Sequence, residues 1–137
     1  MNVLIIDGQG GQLGAQLVKE ISAAFPQLVL TAVGTNAVAT AAMIKAGAKN
    51  AATGENPVVV ACRKADVIIG PIGMVITDSL LGEITEKMAV AVSTASATRI
   101  LIPSGKCNNL VAGVSNINMG VLISDAISKL TAIVKNS

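Results

Sequence analysis

The residues best suited to chemistry form a glycine-rich segment near the amino terminus, Asp7-Gly8-Gln9-Gly10-Gly11-Gln12-Leu13-Gly14. It follows a continuous apolar run and precedes residues at helical spacing. Glycines at such a turn allow a tight bend, close approach of the backbone to a phosphate, and close packing of helix on strand. The helix start adds free N–H groups and the positive end of its dipole. The spacing G-x-x-G-x-x-G fits, although Leu13 breaks the stricter G-x-G-x-x-G. The segment predicts binding of a nucleotide or other phosphorylated small molecule, and the alternative is a structural turn.

Two features bear on which nucleotide the segment would bind. Asp7 places a carboxylate at the entrance of the turn, which would repel a pyrophosphate unless it binds the backbone or a ribose. A dinucleotide site also needs an acid at the end of the second strand for the ribose, or an Arg for a 2′-phosphate. The chain has Gly34-Thr35-Asn36 there, and Thr35 and Asn36 could bind a hydroxyl or cap a helix. The ligand is therefore expected to be NAD, NADP or an adenine nucleotide. We expect a preference for an adenine mononucleotide, or at least no strong preference between the two dinucleotides.

Other polar loops are expected to meet the glycine segment. Ligands of open α/β sheets bind beyond the carboxyl ends of the strands, where the strand order reverses. Two groups of residues are expected at that edge in addition to the glycine segment. The residues expected to bind the cofactor are Gly70, Pro71 and Gly73. The residues expected to bind the substrate are Thr53, Glu55, Lys106, Cys107 and Asn108. The alternative is that βα turns favour such residues for local reasons.

Several of these side chains have both a chemical and a structural interpretation. Lys106 could pair with a phosphate or remain solvated, and it could lower the pKa of the neighbouring Cys107 thiol. Cys62 is expected to be structural. Asp78 and Glu83 could hold a hard cation or face solvent, and we expect no metal site.

The composition excludes several activities. The chain has 137 residues, two Cys, and no His, Trp or Tyr. Without His there is no Ser-His or Cys-His pair, and two Cys cannot form a four-Cys zinc site. Ten basic and eight acidic residues, a net charge of +2, provide no basic patch for nucleic acid or a membrane surface. We expect a non-catalytic binding or sensing module, and the alternatives are a small NAD(P)-using enzyme and a scaffold subunit without ligand.

Apolar runs alternate with helical periodicity along the whole chain. The predicted strands are Val3–Asp7, Leu28–Val33, Lys49–Ala52, Asp66–Gly70, Arg99–Pro103 and Leu110–Val114. Helices are expected after Gly11, Asn36 and Thr85 and at the carboxyl terminus, whereas Thr53–Pro57 is interpreted as a turn. This alternation predicts a doubly wound, Rossmann-like α/β fold with a mostly parallel sheet of about five or six strands, in one three-layer domain spanning residues 1–137.

Charged residues are scarce, at 13% against about 25% in ordinary domains. We therefore expect a homodimer or larger homo-oligomer, with the uncharged stretch Met88–Thr98 as the candidate interface. The alternative is that this stretch is buried against Asp78–Ile84 within one chain. Pro26 and Gly34 interrupt the longest uncharged run, so no membrane span is expected. The absence of a leader sequence predicts a cytoplasmic protein with reduced thiols.

Two resemblances accompany these patterns. Gly8 to Gly14 resembles the loop of extended short-chain dehydrogenases and sugar-nucleotide epimerases, a similarity that ends near Thr35 and lacks the catalytic Tyr of that group. Over its whole length the chain is similar to a family of small single-domain Rossmann-like proteins of anaerobic bacteria, a domain of unknown function. The stretches that carry this similarity are Ile6–Gly11, Val33–Asn36, Ala52–Asn56, Gly70–Gly73, Asp78–Ile84, Ile102-Pro103 and Cys107–Asn109. The resemblance implies the fold and a cytoplasmic setting, and no activity.

Overall fold

The computed structural model describes residues 1–103, 109–115 and 118–137. Five parallel strands form one sheet in the order β3-β2-β1-β4-β5. The strands are β1 (Asn2–Asp7), β2 (Val29–Gly34), β3 (Asn50–Thr53), β4 (Val67–Pro71) and β5 (Thr98–Ile102). The helices are α1 (Gln12–Ala24), α2 (Ala37–Lys45), α3 (Glu55–Lys64), α4 (Glu86–Thr94) and α5 (Met119–Lys135), and a 3-10 turn at Ile72–Val75 follows β4. The predicted α/β fold with a parallel sheet is confirmed.

The strand order reverses beside β1. Asp7 is opposite Gly34 on β2, and Ile5 is opposite Ile69 on β4. The chain proceeds from β1 through β2 to β3 on one side and then returns to form β4 and β5 on the other. The carboxyl ends of β1 and β4 therefore flank the position at which sheets of this type bind ligands.

Helices cover both faces of the sheet. Val3 and Ile5 of β1 pack with α1, α2 and α5 on one face, and Leu4 and Ile6 pack with α3 and α4 on the other. Because successive strand residues point to opposite faces, β1 needs an unbroken apolar sequence. The predicted continuous run at Val3–Asp7 is confirmed in this position.

Local capping signals are also confirmed. The Asn36 side chain accepts a hydrogen bond from the backbone N–H of Ala39 at 2.9 Å, at the start of α2. Thr85 accepts one from the N–H of Met88 at 3.2 Å, at the start of α4. Such caps satisfy donors that have no partner within the helix.

Two predicted elements are wrong. The turn expected at Thr53–Pro57 ends at Gly54, because α3 begins at Glu55. Pro57 fits in the first helical turn, where its missing N–H has no intrahelical partner to lose. The sixth strand expected at Leu110–Val114 does not form, and Leu110 is fully exposed. An apolar run becomes a strand only where a neighbouring strand can pair with it.

Among the described residues, no helix is long and apolar enough to cross a membrane.

Candidate functional site

The glycine turn leads from β1 directly into α1. Gly11 has a φ of +73°, which favours glycine, and its N–H donates to the Gly8 carbonyl at 3.0 Å. No side chain caps α1, and its first turn contains no acidic residue. The N–H groups of Gln12 and Leu13 consequently have no partner among the described residues. Gly10 beside them is exposed. This end of α1 is therefore open to an incoming anion.

Glu83 connects its own loop to two others, the glycine turn and the loop after β2. Its Oε1 atom accepts a hydrogen bond from the Gln9 backbone N–H at 2.8 Å and from the Thr35 hydroxyl at 2.6 Å. The Asn36 side-chain amide donates to the same oxygen at 2.9 Å. The Oε2 atom has no hydrogen-bond partner within the described part of the chain. Glu83 thus has one oxygen fixed by three donors and one oxygen that accepts no hydrogen bond from the described residues.

The connection between the 3-10 turn and α4 brings Glu83 to the glycine turn. The Asp78 N–H donates to the Ile84 carbonyl at 2.7 Å, and the Ile84 N–H donates to the Ser79 carbonyl at 3.2 Å. Ile84 is buried in the core below. Leu80 and Leu81 have φ values of +55° and +56°, a conformation that costs roughly 1–2 kcal/mol for each such residue. The buried anchor and the Glu83 bonds offset this strain.

Gly8 is the glycine that faces Glu83. A Cβ atom at Gly8 would lie 2.6 Å from the Thr35 Oγ1 atom and 2.7 Å from the Glu83 Oε1 atom. No side chain fits between these atoms without moving one of them. Gly8 therefore allows the carboxylate to reach the turn.

Gly11 and Gly14 serve packing instead. A Cβ atom at Gly11 would lie 2.6 Å from the Cα atom of Ala39 on α2. At Gly14 it would lie 2.6 Å from the Met43 Sδ atom and 2.8 Å from the Asp7 Cβ atom. Gly11 therefore faces the backbone of α2, and the absence of a side chain there lets α1 and α2 pack closely.

Two carboxylates set the electrostatics of the turn. Asp7 is buried and accepts from the N–H groups of Gly8 at 2.8 Å and Gly14 at 2.7 Å. Burial raises the pKa of Asp7, the bonds from Gly14 and Gly8 oppose this, and the charge of Glu83 adds to the rise. Burial also acts to raise the pKa of Glu83, but the bonds from Gln9, Thr35 and Asn36 outweigh it and lower that pKa. The three bonds therefore favour the charged form of Glu83, and both oxygens of Asp7 accept from backbone N–H groups.

The structure brings together one part of the predicted site. Gln9, Thr35 and Asn36 meet at Glu83, and the Asn36 amide also donates to the Gln9 carbonyl at 3.0 Å. Gly70 packs on the Ile6 carbonyl, where a Cβ atom would be 2.4 Å from the oxygen. Pro71 ends β4.

The remaining predicted residues lie elsewhere in the fold or outside the described residues. Gly73 lies against Ser79, whose hydroxyl donates to its carbonyl. Thr53 donates to the Thr40 hydroxyl at 2.7 Å beside β3. Glu55 lines the groove between α3 and α4. Three predicted substrate residues, Lys106, Cys107 and Asn108, lie outside the described residues.

Sequence reasoning considered Glu83 only as a partner of Asp78 for a cation. Within the described residues, no three His, Cys, Asp or Glu side chains are grouped as metal ligands would be. The only sequence signal for the role of Glu83 is its position after the fourth strand, whose loop was expected at the ligand edge. Cys62 is buried, and burial raises the pKa of its thiol to about 11. This agrees with a structural Cys62.

The sheet order and the strand–turn–helix at β1 define a Rossmann-like α/β protein. The chain belongs to the family described as "Domain of unknown function (DUF3842)", whose model matches residues 2–135. A search of curated proteins finds no match. Among solved structures the chain is similar to a dodecameric FMN-dependent UbiX-like decarboxylase from Escherichia coli O157:H7, with 16% identity and a TM-score of 0.46. That alignment covers 94% of this chain and 76% of the other. The family match confirms the resemblance seen over the whole chain, and none of these matches supports the dehydrogenase resemblance of the glycine turn.

Proposed function

We propose that this protein binds a phosphorylated nucleoside-type small molecule at the glycine turn, as a binding or sensing module. The phosphate would lie at the open start of α1, and a sugar hydroxyl would donate to Glu83. The observation that carries the proposal is the geometry of Glu83. Gln9, Thr35 and Asn36 donate to Oε1, and Oε2 has no partner among residues 1–103, 109–115 and 118–137.

The phosphate position follows from the donors that remain. The carboxylate of Asp7 accepts hydrogen bonds from the N–H groups of Gly8 and Gly14, and that of Glu83 accepts one from the N–H of Gln9. In the part of the chain that the structure describes, the N–H groups of Gln12 and Leu13 at the start of α1 have no partner, and they lie next to the exposed Gly10. An anion at a helix start gains typically 0.3–1 kcal/mol from the dipole, in addition to its hydrogen bonds.

The sugar position follows from Glu83. In dinucleotide-binding sheets, an acidic side chain at the end of the second strand accepts a ribose hydroxyl. Here Thr35 and Asn36 follow β2, and they hold the carboxylate of Glu83, so the acid arrives from a different segment. An ionised carboxylate accepts from a hydroxyl and repels a phosphate. This favours AMP or NAD over NADP and revises the expectation of no preference between the dinucleotides.

The experiment compares ligands that differ at one sugar position, by thermal shift and by calorimetric titration. The matched pairs are AMP with 2′-deoxy-AMP and NAD with NADP, and FMN is included as a nucleotide with a ribityl chain. A ligand at 100 times its dissociation constant stabilises by about 2.7 kcal/mol, which is several degrees for a domain of this size. A hydrogen bond to a charged acceptor contributes about 1.5–3 kcal/mol, so AMP should bind roughly 10–100 times more tightly than 2′-deoxy-AMP.

Glu83→Gln tests the role of the carboxylate. The variant should retain ligand binding and lose most of the preference for NAD over NADP, because the repelling charge is removed. Glu86→Gln is the matched control, since Glu86 is an exposed acid at the start of α4, without a hydrogen bond to the turn. A wild-type protein that no ligand stabilises would contradict the proposal.

The same contacts favour a second candidate function, a scaffold subunit that binds no ligand. In that case the Glu83 carboxylate is the permanent hydrogen-bond acceptor for the donors of the glycine turn. Glu83 fills the space beside Gly8, where an added atom would lie 2.7 Å from its Oε1. Under this interpretation neither the wild type nor Glu83→Ala binds any member of the panel. Binding by either protein would exclude the scaffold.

A further inference from the structure

A groove runs between α3 and α4, on the opposite face of the sheet from α1 and α5. It consists of two adjoining cavities of about 730 and 470 Å³ that share Val59, Arg63 and Ala91. Val90 on its rim is 50% exposed. The groove takes no part in the glycine turn or its contacts with Glu83.

This groove differs from the interface expected at Met88–Thr98. The structure buries Met88, Ala89, Val92 and Ala97 in the core formed with Ile84, so the alternative of burial within one chain is correct for these four. These four residues are uncharged because they are buried in the core of their own chain. Only the outward part of the stretch, which includes Val90 and Ala91, borders the groove.

The α3 side of the groove is self-complementary in charge. Glu55, Val59 and Arg63 are spaced four residues apart and form one ridge along the helix. The ridge is negative at one end and positive at the other, with an apolar residue midway. When a second α3 lies antiparallel across a two-fold axis at Val59, each Glu55 meets the partner's Arg63. Ridges of this spacing interlock when two helices cross at about −50°.

The charges of this ridge are available for such a contact. The ion pair within the described residues joins Lys129 to Asp125, and neither Glu55 nor Arg63 is paired there. Glu86 and Lys87 also line the end of the groove near Glu55, and their opposite charges offset each other. The end at Glu55 is therefore net negative, and the other end carries Arg63.

We propose that the α3–α4 groove is the interface of a two-fold symmetric homodimer, in which the occupant of each groove is the α3 ridge of a second copy. An isologous interface presents the same surface twice, so every contact made at one end recurs at the other. The sparse surface charge agrees with this, since 18 charged residues are spread over 7134 Å² of accessible surface. A stable interface of this kind should bury at least about 1,000 Å² in total.

The test uses charge reversal, with the mass measured by light scattering during gel filtration. The wild type should have twice the monomer mass of 13.7 kDa at micromolar concentration. Glu55→Arg and Arg63→Glu each place like charges opposite each other at both ends, and each should weaken the dimer by about tenfold or more. The double variant restores opposite charges across the axis and should restore the dimer.

The controls separate the interface from folding. Glu55→Arg also places a cation at the start of α3, but the double variant contains the same change, so recovery there excludes a helix defect. Lys19→Glu reverses an exposed charge on α1 and should leave the mass unchanged. Circular dichroism confirms that each variant is folded. A monomeric wild type, or a dimer that survives both single reversals, overturns the proposal, and neither result bears on ligand binding at Glu83.

Discussion

Replacing Gly8 by Ala tests whether Glu83 truly reaches the glycine turn. The added methyl group would lie 2.6 Å from the Thr35 Oγ1 atom and 2.7 Å from the Glu83 Oε1 atom. Both distances are well below van der Waals contact, so at least one side chain must move. Because the Thr35 hydroxyl and the Glu83 carboxylate are bonded to each other at 2.6 Å, moving either breaks the cluster.

The magnitude follows from the bonds that are lost. Each hydrogen bond to a charged group contributes about 1.5–3 kcal/mol, and water replaces part of this where the group is partly exposed. The Gly-to-Ala change itself stabilises by about 0.4–1 kcal/mol through the unfolded chain. We expect a net loss of about 2 kcal/mol, which lowers the melting temperature by roughly 5–10 °C in a domain of this size.

Gly10→Ala is the matched control in the same turn. Nothing lies within 4 Å of a Cβ atom at Gly10, and its φ lies outside the left-handed region. This variant should be as stable as the wild type or more stable by up to about 1 kcal/mol.

Melting is followed by circular dichroism, since the chain has no Trp or Tyr to serve as a fluorescent probe. A double-mutant cycle adds Gly8→Ala to Glu83→Ala. In that background the contact with Oε1 is gone and the Thr35 hydroxyl is no longer held by the carboxylate, so Thr35 can move away from the methyl group and the change should cost less. The reasoning is refuted if Gly8→Ala has the same melting temperature as Gly10→Ala. It is also refuted if Gly8→Ala lowers the stability equally in the presence and in the absence of the Glu83 side chain.

Two further predictions concern pH and the packing of the turn. Folding lowers the pKa of Glu83 below its value in the unfolded chain, so its stabilising contribution is fully present above the unfolded-state pKa and is lost as the pH falls through the folded-state pKa. The stability difference between the wild type and Glu83→Gln, from urea midpoints, should shrink from pH 6 to pH 3, and a constant difference would argue against the assignment. Gly11→Val should destabilise the fold by about 2–4 kcal/mol, because its Cβ atom would lie 2.6 Å from the Ala39 Cα atom and Gly11 has a φ of +73°. A Gly11→Val protein as stable as the wild type would show that α2 does not pack there.

Features that depend on residues close together in the chain are predictable from the sequence alone. The buried strand Asn2–Asp7, the glycine turn and α1 follow one another without interruption, and their order predicts the Rossmann-like start. Asn36 and Thr85 are caps because each side chain reaches a donor three residues away. These are short-range interactions, so periodicity and capping chemistry suffice to predict them.

The contacts of the glycine turn, in contrast, depend on how distant segments fold together. Gln9 and Glu83 are 74 residues apart in the sequence, and no local pattern relates a carboxylate after the fourth strand to a turn after the first. The sheet order places those two strand ends side by side, and the folded connection before α4 then aims Glu83 at the turn.

The role of each glycine was likewise decided by packing. Spacing treats Gly8, Gly11 and Gly14 alike, but a side chain at each would meet a different neighbour: the Glu83 cluster, the α2 backbone and the Met43 side chain. Leu110–Val114 shows the same dependence, since this apolar run pairs with neither edge strand of the sheet. Glycine spacing and hydrophobicity indicate which conformations a segment can adopt. Which of these conformations forms depends on contacts with residues from distant parts of the chain.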